Sequence, residues 1–240
     1  MIEAARPLPG AQASAEILVD VTAPDPAPRP TAKALLAEEL RERILDGDIA
    51  PGTPLREEEL SRSHGHSRHT VRSALSQLAA ERLVQFIPYR GARVADLSDA
   101  EVEDLQALRG ALEAEAVRLL HERHGDAWPD EVLSLVQEGI DALADAERGG
   151  DWLDITRAHA DVHRRIVAAA GSSRIADSYE QLNSETLLLL TAVRSLYASG
   201  ALAEEHRGYL RDIQSGDGAV VREHLAHTSQ LIREARRSRS

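Results

Sequence analysis

A chain of 240 residues, 42% of them apolar, can bury one large hydrophobic core or two smaller ones, and the usual size of domains favours two. Its formal net charge of −12 excludes a surface that is basic throughout, so binding to an anionic polymer would need a local basic patch. The absence of cysteine excludes disulfides and thiolate metal sites and suits a reducing compartment, so we expect a cytoplasmic protein.

The first segment, residues 1–30, mixes alanine, proline and scattered acids without a regular period, which predicts a disordered tail. It lacks the basic start and apolar core of an export signal. The longest purely aliphatic run, at 187–190, is far shorter than the roughly 20 residues that a membrane helix needs. We therefore expect neither export nor contact with a membrane.

Residues 31–96 predict a helix, a pair of short helices and a hairpin. The stretch TAKALLAEELRERILDG has apolar residues at helical spacing, with Thr31 as a possible N-cap and Gly47 as a stop. The following REEELSRSHGHSRHTVRSALSQLAAERLV divides at 64–66 into two short helices, and Ser67 can cap the second. LVQFI and ARVAD then predict a hairpin. This order is typical of a winged helix-turn-helix, which lays its second helix in the major groove of DNA.

Charge is distributed unevenly along the chain. Residues 62–95 hold six arginines against one acid, whereas residues 96–240 hold 27 acids and 16 lysines and arginines. Arg68, Thr70 and Arg72 fall at the start of the second short helix, where side chains and backbone N–H groups can meet phosphates or base edges. Taken alone, this stretch is more typical of a solvated helix face. The preceding helix and the hairpin, with Arg90 at its tip, favour DNA.

From Ser98 onward the pattern is helical. We predict helices over 98–123, 129–148, 151–170, 173–197, 201–215 and 218–237, separated by breaks that contain glycine, proline or aspartate. The fold class is thus mostly α, with a winged helix-turn-helix domain over 31–96. An all-α bundle of about six helices follows over 97–240 and is large enough for an internal cavity.

Two histidines in the predicted bundle could take part in a metal site. His159 and His163 are four residues apart, a spacing that lets two imidazoles on one helix share a metal ion. An exposed or hydrogen-bonded pair is the alternative. A metal-dependent hydrolase is the weaker functional reading, because a zinc protease helix needs glutamate directly after its first histidine and this chain has Ala160 there. We expect no enzymatic activity.

The segment 31–95 resembles the winged helix-turn-helix of GntR-type bacterial transcription regulators. The resemblance is carried by LRERILDGDIAPGTPL, EEELS, SRHTVRSALSQLAAERLV and YRGARV. The family usually has Thr-Pro after the Ser-Arg pair and glutamate after the second arginine, where this chain has His69-Thr70 and Ser73. This difference affects the preferred half-site but not the mode of binding. The residues that the resemblance implies to face DNA are Arg56, Arg68, Thr70, Arg72, Arg90 and Gly91.

Residues 98–235 resemble the FCD ligand-binding domain of the FadR subfamily. The matching stretches are LRGALEAEAVRLL, HADVHRRIVAAAGSSRI, EEHRGYLRDIQSGD and REHLAHT. Many members hold a divalent metal with one Asp and three His and bind a small carboxylate against it. Position by position, the resemblance implies His163, His206 and His227 as the three histidines, with His159 in place of the aspartate. His224 is the rival of His227 if the loop before it has its usual length.

The replacement of aspartate by His159 affects which metal ion is favoured, because four neutral imidazoles favour zinc or nickel over harder ions. Asp161 lies two residues from both His159 and His163 and therefore points elsewhere on a helix. Arg109 could bind the carboxylate of an effector, or could form a surface pair with Glu113. The two resemblances together imply a homodimeric transcription repressor that reads a palindromic operator on double-stranded DNA and responds to a small carboxylate.

Overall fold

The computed structural model describes residues 30–191, 193, 200–216 and 218–237. Residues 1–29 of the predicted tail lie outside the described part, as does most of the end of the predicted helix over 173–197. Ten helices and three strands lie within the described residues. In chain order they are α1 (Ala32–Leu45), β1 (Pro54–Leu55), α2 (Glu57–His64), α3 (Arg68–Ala80), β2 (Val84–Ile87), β3 (Gly91–Val94), α4 (Asp99–His124), α5 (Asp130–Gly149), α6 (Trp152–Ala169), α7 (Ser173–Glu180), α8 (Asn183–Leu190), α9 (Ala201–Ser215) and α10 (Gly218–Arg237).

The helix pair α2–α3 forms as the sequence predicts. Gly65 ends α2 in the left-handed conformation, with φ of 67°, which a residue without a Cβ adopts at little cost. Ser67 caps α3 by accepting a hydrogen bond of 3.1 Å from the backbone N–H of Thr70. The apolar stripe of α3 is buried and packs against α1. The polar first turn of α3 is thereby left on the outside.

The hairpin is part of a three-stranded antiparallel sheet with strand order β1-β3-β2. Val84 pairs with Val94 across β2 and β3, and Pro54 of β1 pairs with Arg93. The sequence did not predict β1, because two residues in a turn-rich link are too few to show an alternating pattern. The turn between β2 and β3 carries Tyr89 with φ of 63° and a fully exposed side chain.

The helical bundle begins at a complete capping box, in which Ser98 and Glu101 each satisfy the other's backbone N–H. In the bundle α4 packs against α10, and α5 packs against α6 and α9. Its largest fully buried side chains include Leu120, Ile140 and Ile213. No helix of the described ranges is both long and apolar enough to cross a membrane.

One predicted helix, over 173–197, is divided into α7 and α8. The leucines at 187–190 all lie on α8, after the break, and serve two cores. Leu189 and Leu190 belong to the core of the bundle, whereas Leu187 and Leu188 belong to the core of the winged helix. Consecutive positions of a helix point in directions roughly 100° apart, so four successive side chains of α8 can reach both cores.

The winged helix and the bundle share contacts, and the residues from Thr31 onward form one compact unit. Leu153 and Ala160 of α6 lie in the winged-helix core together with the two leucines of α8. At the same junction Arg82 pairs with the buried Glu185 at 3.6 Å. The predicted domain boundary at 96–97 falls in the link between β3 and α4 and stays a prediction.

Candidate metal centre and nucleic-acid interface

Three histidines meet inside the bundle. His159 and His163 lie one turn apart on α6, and His206 faces them from α9. The ring centroids are 5.1 Å apart for His159 and His163, 4.7 Å for His159 and His206, and 5.1 Å for His163 and His206. One ring nitrogen of each lies within 4.8 Å of the other two, and all three residues are buried. The i, i+4 spacing on α6 therefore does bring two imidazoles to one point, as predicted.

Hydrogen bonds fix the orientation of two of these rings. Nδ1 of His206 is 2.7 Å from the carbonyl oxygen of Leu202, and a carbonyl only accepts, so Nδ1 carries the proton and Nε2 keeps its lone pair. Nδ1 of His163 is 2.9 Å from a carboxylate oxygen of Glu113, to which it donates in the same way. The two Nε2 atoms then face each other at 3.2 Å. This distance is close to the separation of about 3.3 Å between neighbouring nitrogens around a tetrahedral zinc ion.

Two further ring nitrogens also indicate a metal site. Nδ1 of His159 and Nε2 of His224 are buried and have no hydrogen-bond partner within the described residues. Buried polar atoms without partners are costly, so such atoms need an explanation such as an ion that the site accepts. The donor set of imidazole nitrogens fits a divalent transition metal.

Burial also sets the protonation of the cluster. Desolvation, followed by the nearby charges of the other imidazoles and of Arg109, lowers the pKa of His159 and of His163 well below 6.5. Desolvation likewise lowers the pKa of His206, and it lowers the pKa of His224 to about 2. The imidazoles are therefore neutral near pH 7, which is the form that binds metal.

The structure places the two candidates for the fourth histidine differently, and the choice between them stays a prediction. His227 is exposed on α10, whereas His224 stacks on Tyr209 with ring centroids 4.1 Å apart. The centroid of His224 is 5.0 Å from that of His206 and 5.3 Å from that of His163. Residues three positions apart on a helix differ in direction by roughly 60°, so one of them can face inward while the other is exposed. The structure thus places the rival residue beside the three-histidine cluster.

A buried carboxylate that sequence reasoning did not assign to the site lies next to His163. Glu113 of α4 is completely buried and accepts hydrogen bonds of 2.8 Å from the hydroxyls of Tyr179 and Tyr209. Desolvation raises the pKa of its carboxyl group, although the charge of Arg109 opposes this. The spacing of Arg109 and Glu113 on one face of α4 was the signal for a shared role. A pairing with His163, 50 residues away, left no such signal.

Arg109 is buried too, so the alternative of a surface pair with Glu113 is wrong. Its guanidinium donates hydrogen bonds to Gln106 at 2.6 Å and to the hydroxyl of Tyr179 at 3.1 Å. These bonds use two of its five N–H donors and direct the group toward the cluster. Asp161, by contrast, pairs with Arg165 at 2.6 Å, away from the histidines.

The residues predicted to face DNA lie at the surface. Arg68 and Arg72 project from the first two turns of α3, and the hydroxyl of Thr70, which is half-buried, is 2.9 Å from that of Ser67. The other predicted residues are exposed at the start of α2 and in the turn of the hairpin; they are Arg56, Arg90 and Gly91. The arginines are therefore available to an approaching duplex.

The chain matches two protein families: "Bacterial regulatory proteins, gntR family" over residues 33–94 and "FCD domain" over residues 104–230. It is 30% identical over 199 residues to the HTH-type transcriptional repressor GlaR of Escherichia coli K12, covering 81% of this chain and 88% of that protein. It is 27% identical over 187 residues to the probable D-xylose utilization operon transcriptional repressor of Paenarthrobacter nicotinovorans, with coverage of 77% and 79%.

Among solved structures, a putative GntR transcriptional regulator from Rhodococcus sp. RHA1 matches with a TM-score of 0.68 and 24% identity over 85% of this chain and 98% of the other. This match shows the fold. The family matches together span most of the described residues, and the winged helix and the helical bundle coincide with them. The chain therefore belongs to the GntR family of bacterial regulatory proteins, carries an FCD domain, and is a DNA-binding transcription regulator.

Proposed function

We propose that this protein is a repressor whose affinity for its operator is controlled by a small carboxylate, bound at a metal centre within the FCD domain. The observation that carries the proposal is the buried cluster of neutral imidazoles; within the described part of the chain, ring nitrogens of His159 and of the neighbouring His224 have no hydrogen-bond partner. Repression is supported by the names of relatives that are themselves repressors. A role as an enzyme finds no support, because Ala160 stands where a hydrolase of this type needs a glutamate.

The metal would be held by His159, His163 and His206, with His224 as the fourth candidate ligand. Neutral nitrogen ligands favour zinc or nickel, and they leave the positive charge of the ion uncompensated. When bound, the ion supplies that charge to an anionic effector. Arg109, held in place by Gln106 and Tyr179, can direct further donors to the carboxylate of the effector.

Helix α6 is the element that would transmit effector binding. It carries His159 and His163 on one side and contributes Leu153 and Ala160 to the winged-helix core on another. A ligand that prefers one position of α6 changes the balance between two arrangements of the winged helix. The effector then acts on DNA affinity without touching DNA.

In the complex, the first turns of α3 would enter the major groove through Arg68, Thr70 and Arg72, and Arg90 with Gly91 would approach the backbone from the hairpin. We propose a cytoplasmic homodimer, since two copies related by a two-fold axis match a palindromic operator on double-stranded DNA. Size-exclusion chromatography with light scattering checks the oligomeric state, and a monomer that binds DNA as a monomer would contradict it.

Two measurements test the proposal. The first compares affinity for the DNA upstream of the protein's own gene with affinity for a random duplex. Arg68→Ala combined with Arg72→Ala should abolish the preference, whereas Arg118→Ala on α4 should leave it intact. Equal affinity of the unchanged protein for both duplexes would refute the proposal.

The second measurement is mass spectrometry of the natively purified protein, which should reveal about one metal ion per subunit and a bound organic acid.

A further inference from the structure

The arginines at the start of α2 and α3 are each paired with a glutamate from the first turn of α2. The two pairs that join α2 to α3 involve the arginines predicted to enter the major groove. These two pairs are Arg68 with Glu58 (3.1 Å) and Arg72 with Glu57 (3.8 Å). The third pair joins Arg56, the N-cap residue of α2, to Glu59 (3.2 Å).

The stability of α2 explains why glutamates occur in its first turn, but it does not explain their pairing with arginines of α3. The N-cap position of α2 is Arg56, which makes no side-chain capping bond, and acids in a first turn stabilise a helix through its dipole. The dipole accounts for acidic residues at this end of α2. It does not require their carboxylates to meet guanidinium groups of the next helix.

These ion pairs are too weak to lock the arginines. The side chains of Arg68 and Arg72 keep 70% and 71% of their surface exposed, and exposed ion pairs contribute at most about 1 kcal/mol. Their effect appears when a duplex approaches, because a carboxylate beside an arginine repels a phosphate but still allows the guanidinium to reach a base edge.

The two modes of DNA binding depend on different contacts. Binding to unrelated sequences draws almost entirely on phosphates, whereas recognition of an operator also uses arginines that are oriented for two parallel hydrogen bonds to guanine. A glutamate that repels phosphate but leaves the arginine free to reach a base edge therefore weakens non-specific binding more than specific binding.

From this geometry we infer that Glu57 and Glu58 are specificity-determining residues. They lie beside Arg72 and Arg68 without locking them, leave the guanidinium groups free to reach base edges, and lower the affinity for DNA of unrelated sequence. The inference rests on DNA binding by the winged helix and is independent of the metal centre and the effector.

The test measures affinity for a random duplex and for the DNA upstream of the protein's own gene, over a range of salt concentrations. Glu58→Gln should raise affinity for the random duplex about threefold, and Glu57→Gln plus Glu58→Gln about tenfold, with a steeper salt dependence. Affinity for the upstream DNA should rise less, so the ratio of the two affinities falls. Glu58→Asp keeps the charge and should preserve most of the ratio.

Glu38→Gln is the matched control, because it removes the same charge from α1 while its partner Arg41 keeps a second acid, Glu81. It should leave the ratio unchanged. The inference is wrong if Glu57→Gln plus Glu58→Gln raises both affinities equally, or raises neither while thermal melting shows an intact fold. Absence of DNA binding by the unchanged protein would instead contradict the proposed regulator itself.

Discussion

His163 joins the buried carboxylate to the other imidazoles. Its Nδ1 donates to Glu113, and its Nε2 faces Nε2 of His206 at 3.2 Å. A carboxylate that accepts from the far nitrogen of a ligating histidine fixes the ring and makes its other nitrogen a stronger donor to a metal. The orientation of the ring is thus determined by contacts on both sides.

We expect His163→Ala to lose the metal, because it removes a ligand from the centre of the cluster. His227→Ala should retain the metal, since that side chain is exposed. The measurement is metal content per subunit of each purified variant by elemental mass spectrometry. Retention by His163→Ala, or loss by His227→Ala, would show that the ligands are not those proposed.

Glu113→Gln tests the contribution of the carboxylate that orients His163. The amide keeps the shape of the side chain but removes the charge, so metal affinity should fall by roughly 10- to 100-fold. Competition with a chelator measures this affinity. Glu115→Gln, on an exposed part of the same helix, is the control and should have no effect.

The choice between His227 and His224 shows what residue spacing leaves undetermined. Both residues fall within one turn of α10, and which of them faces inward depends on where α10 begins after the loop that ends α9. One residue more or less in that loop rotates α10 by roughly 100°. The i, i+4 pair on α6 needs no such information, because both of its members belong to one helix.

At the level of elements, α6 and α8 connect the two cores. The periodicity of the sequence predicted most helices within a few residues, since each has one buried and one exposed face. Residues 173–197 lack this signal: α8 contains four consecutive buried leucines, which fit any helical phase. The break between α7 and α8 lies at 181–182, before these leucines, and the periodicity did not predict it.

Leu188→Ala tests this connection. Leu188 is 3% exposed and lies in the winged-helix core, so its truncation should lower the free energy of unfolding by about 2–5 kcal/mol. Because α8 belongs to the bundle, the change should also separate the unfolding of the two cores in calorimetry. Leu108→Ala, at a side chain that is 50% exposed, should leave both features unchanged. A single transition with unchanged stability would contradict the shared core.

In the whole molecule, the exposed arginines predicted to bind DNA lie on the winged helix, although the protein as a whole is acidic. The acidic total of −12 coexists with exposed arginines on the winged helix, and the family matches assign DNA binding to that part. The sequence predicted that the basic residues are concentrated in the winged helix, because charged residues can be counted along the chain without knowing the fold. It did not predict that the acids Glu57 and Glu58 lie against those arginines, since only the packing of α2 on α3 brings them together.

Stability of the metal-free protein should depend on pH through the buried imidazoles. Their pKa values are lowered in the folded state, so below the unfolded value of about 6.5 the unfolded chain binds more protons and the free energy of unfolding falls. The raised pKa of Glu113 acts in the opposite direction, but it is one group against four.

We therefore expect the melting temperature of the metal-free protein to decrease between about pH 7 and pH 5, where the unfolded imidazoles titrate. Thermal unfolding followed by circular dichroism measures the decrease. His224→Phe preserves the aromatic stack on Tyr209 and removes one of the four buried imidazoles, so its melting temperature should fall less steeply over the same range. A melting temperature that rises toward pH 5 would mean that the buried carboxyl dominates. A variant with the same slope as the unchanged protein would mean that the pKa of His224 does not differ between the folded and unfolded states.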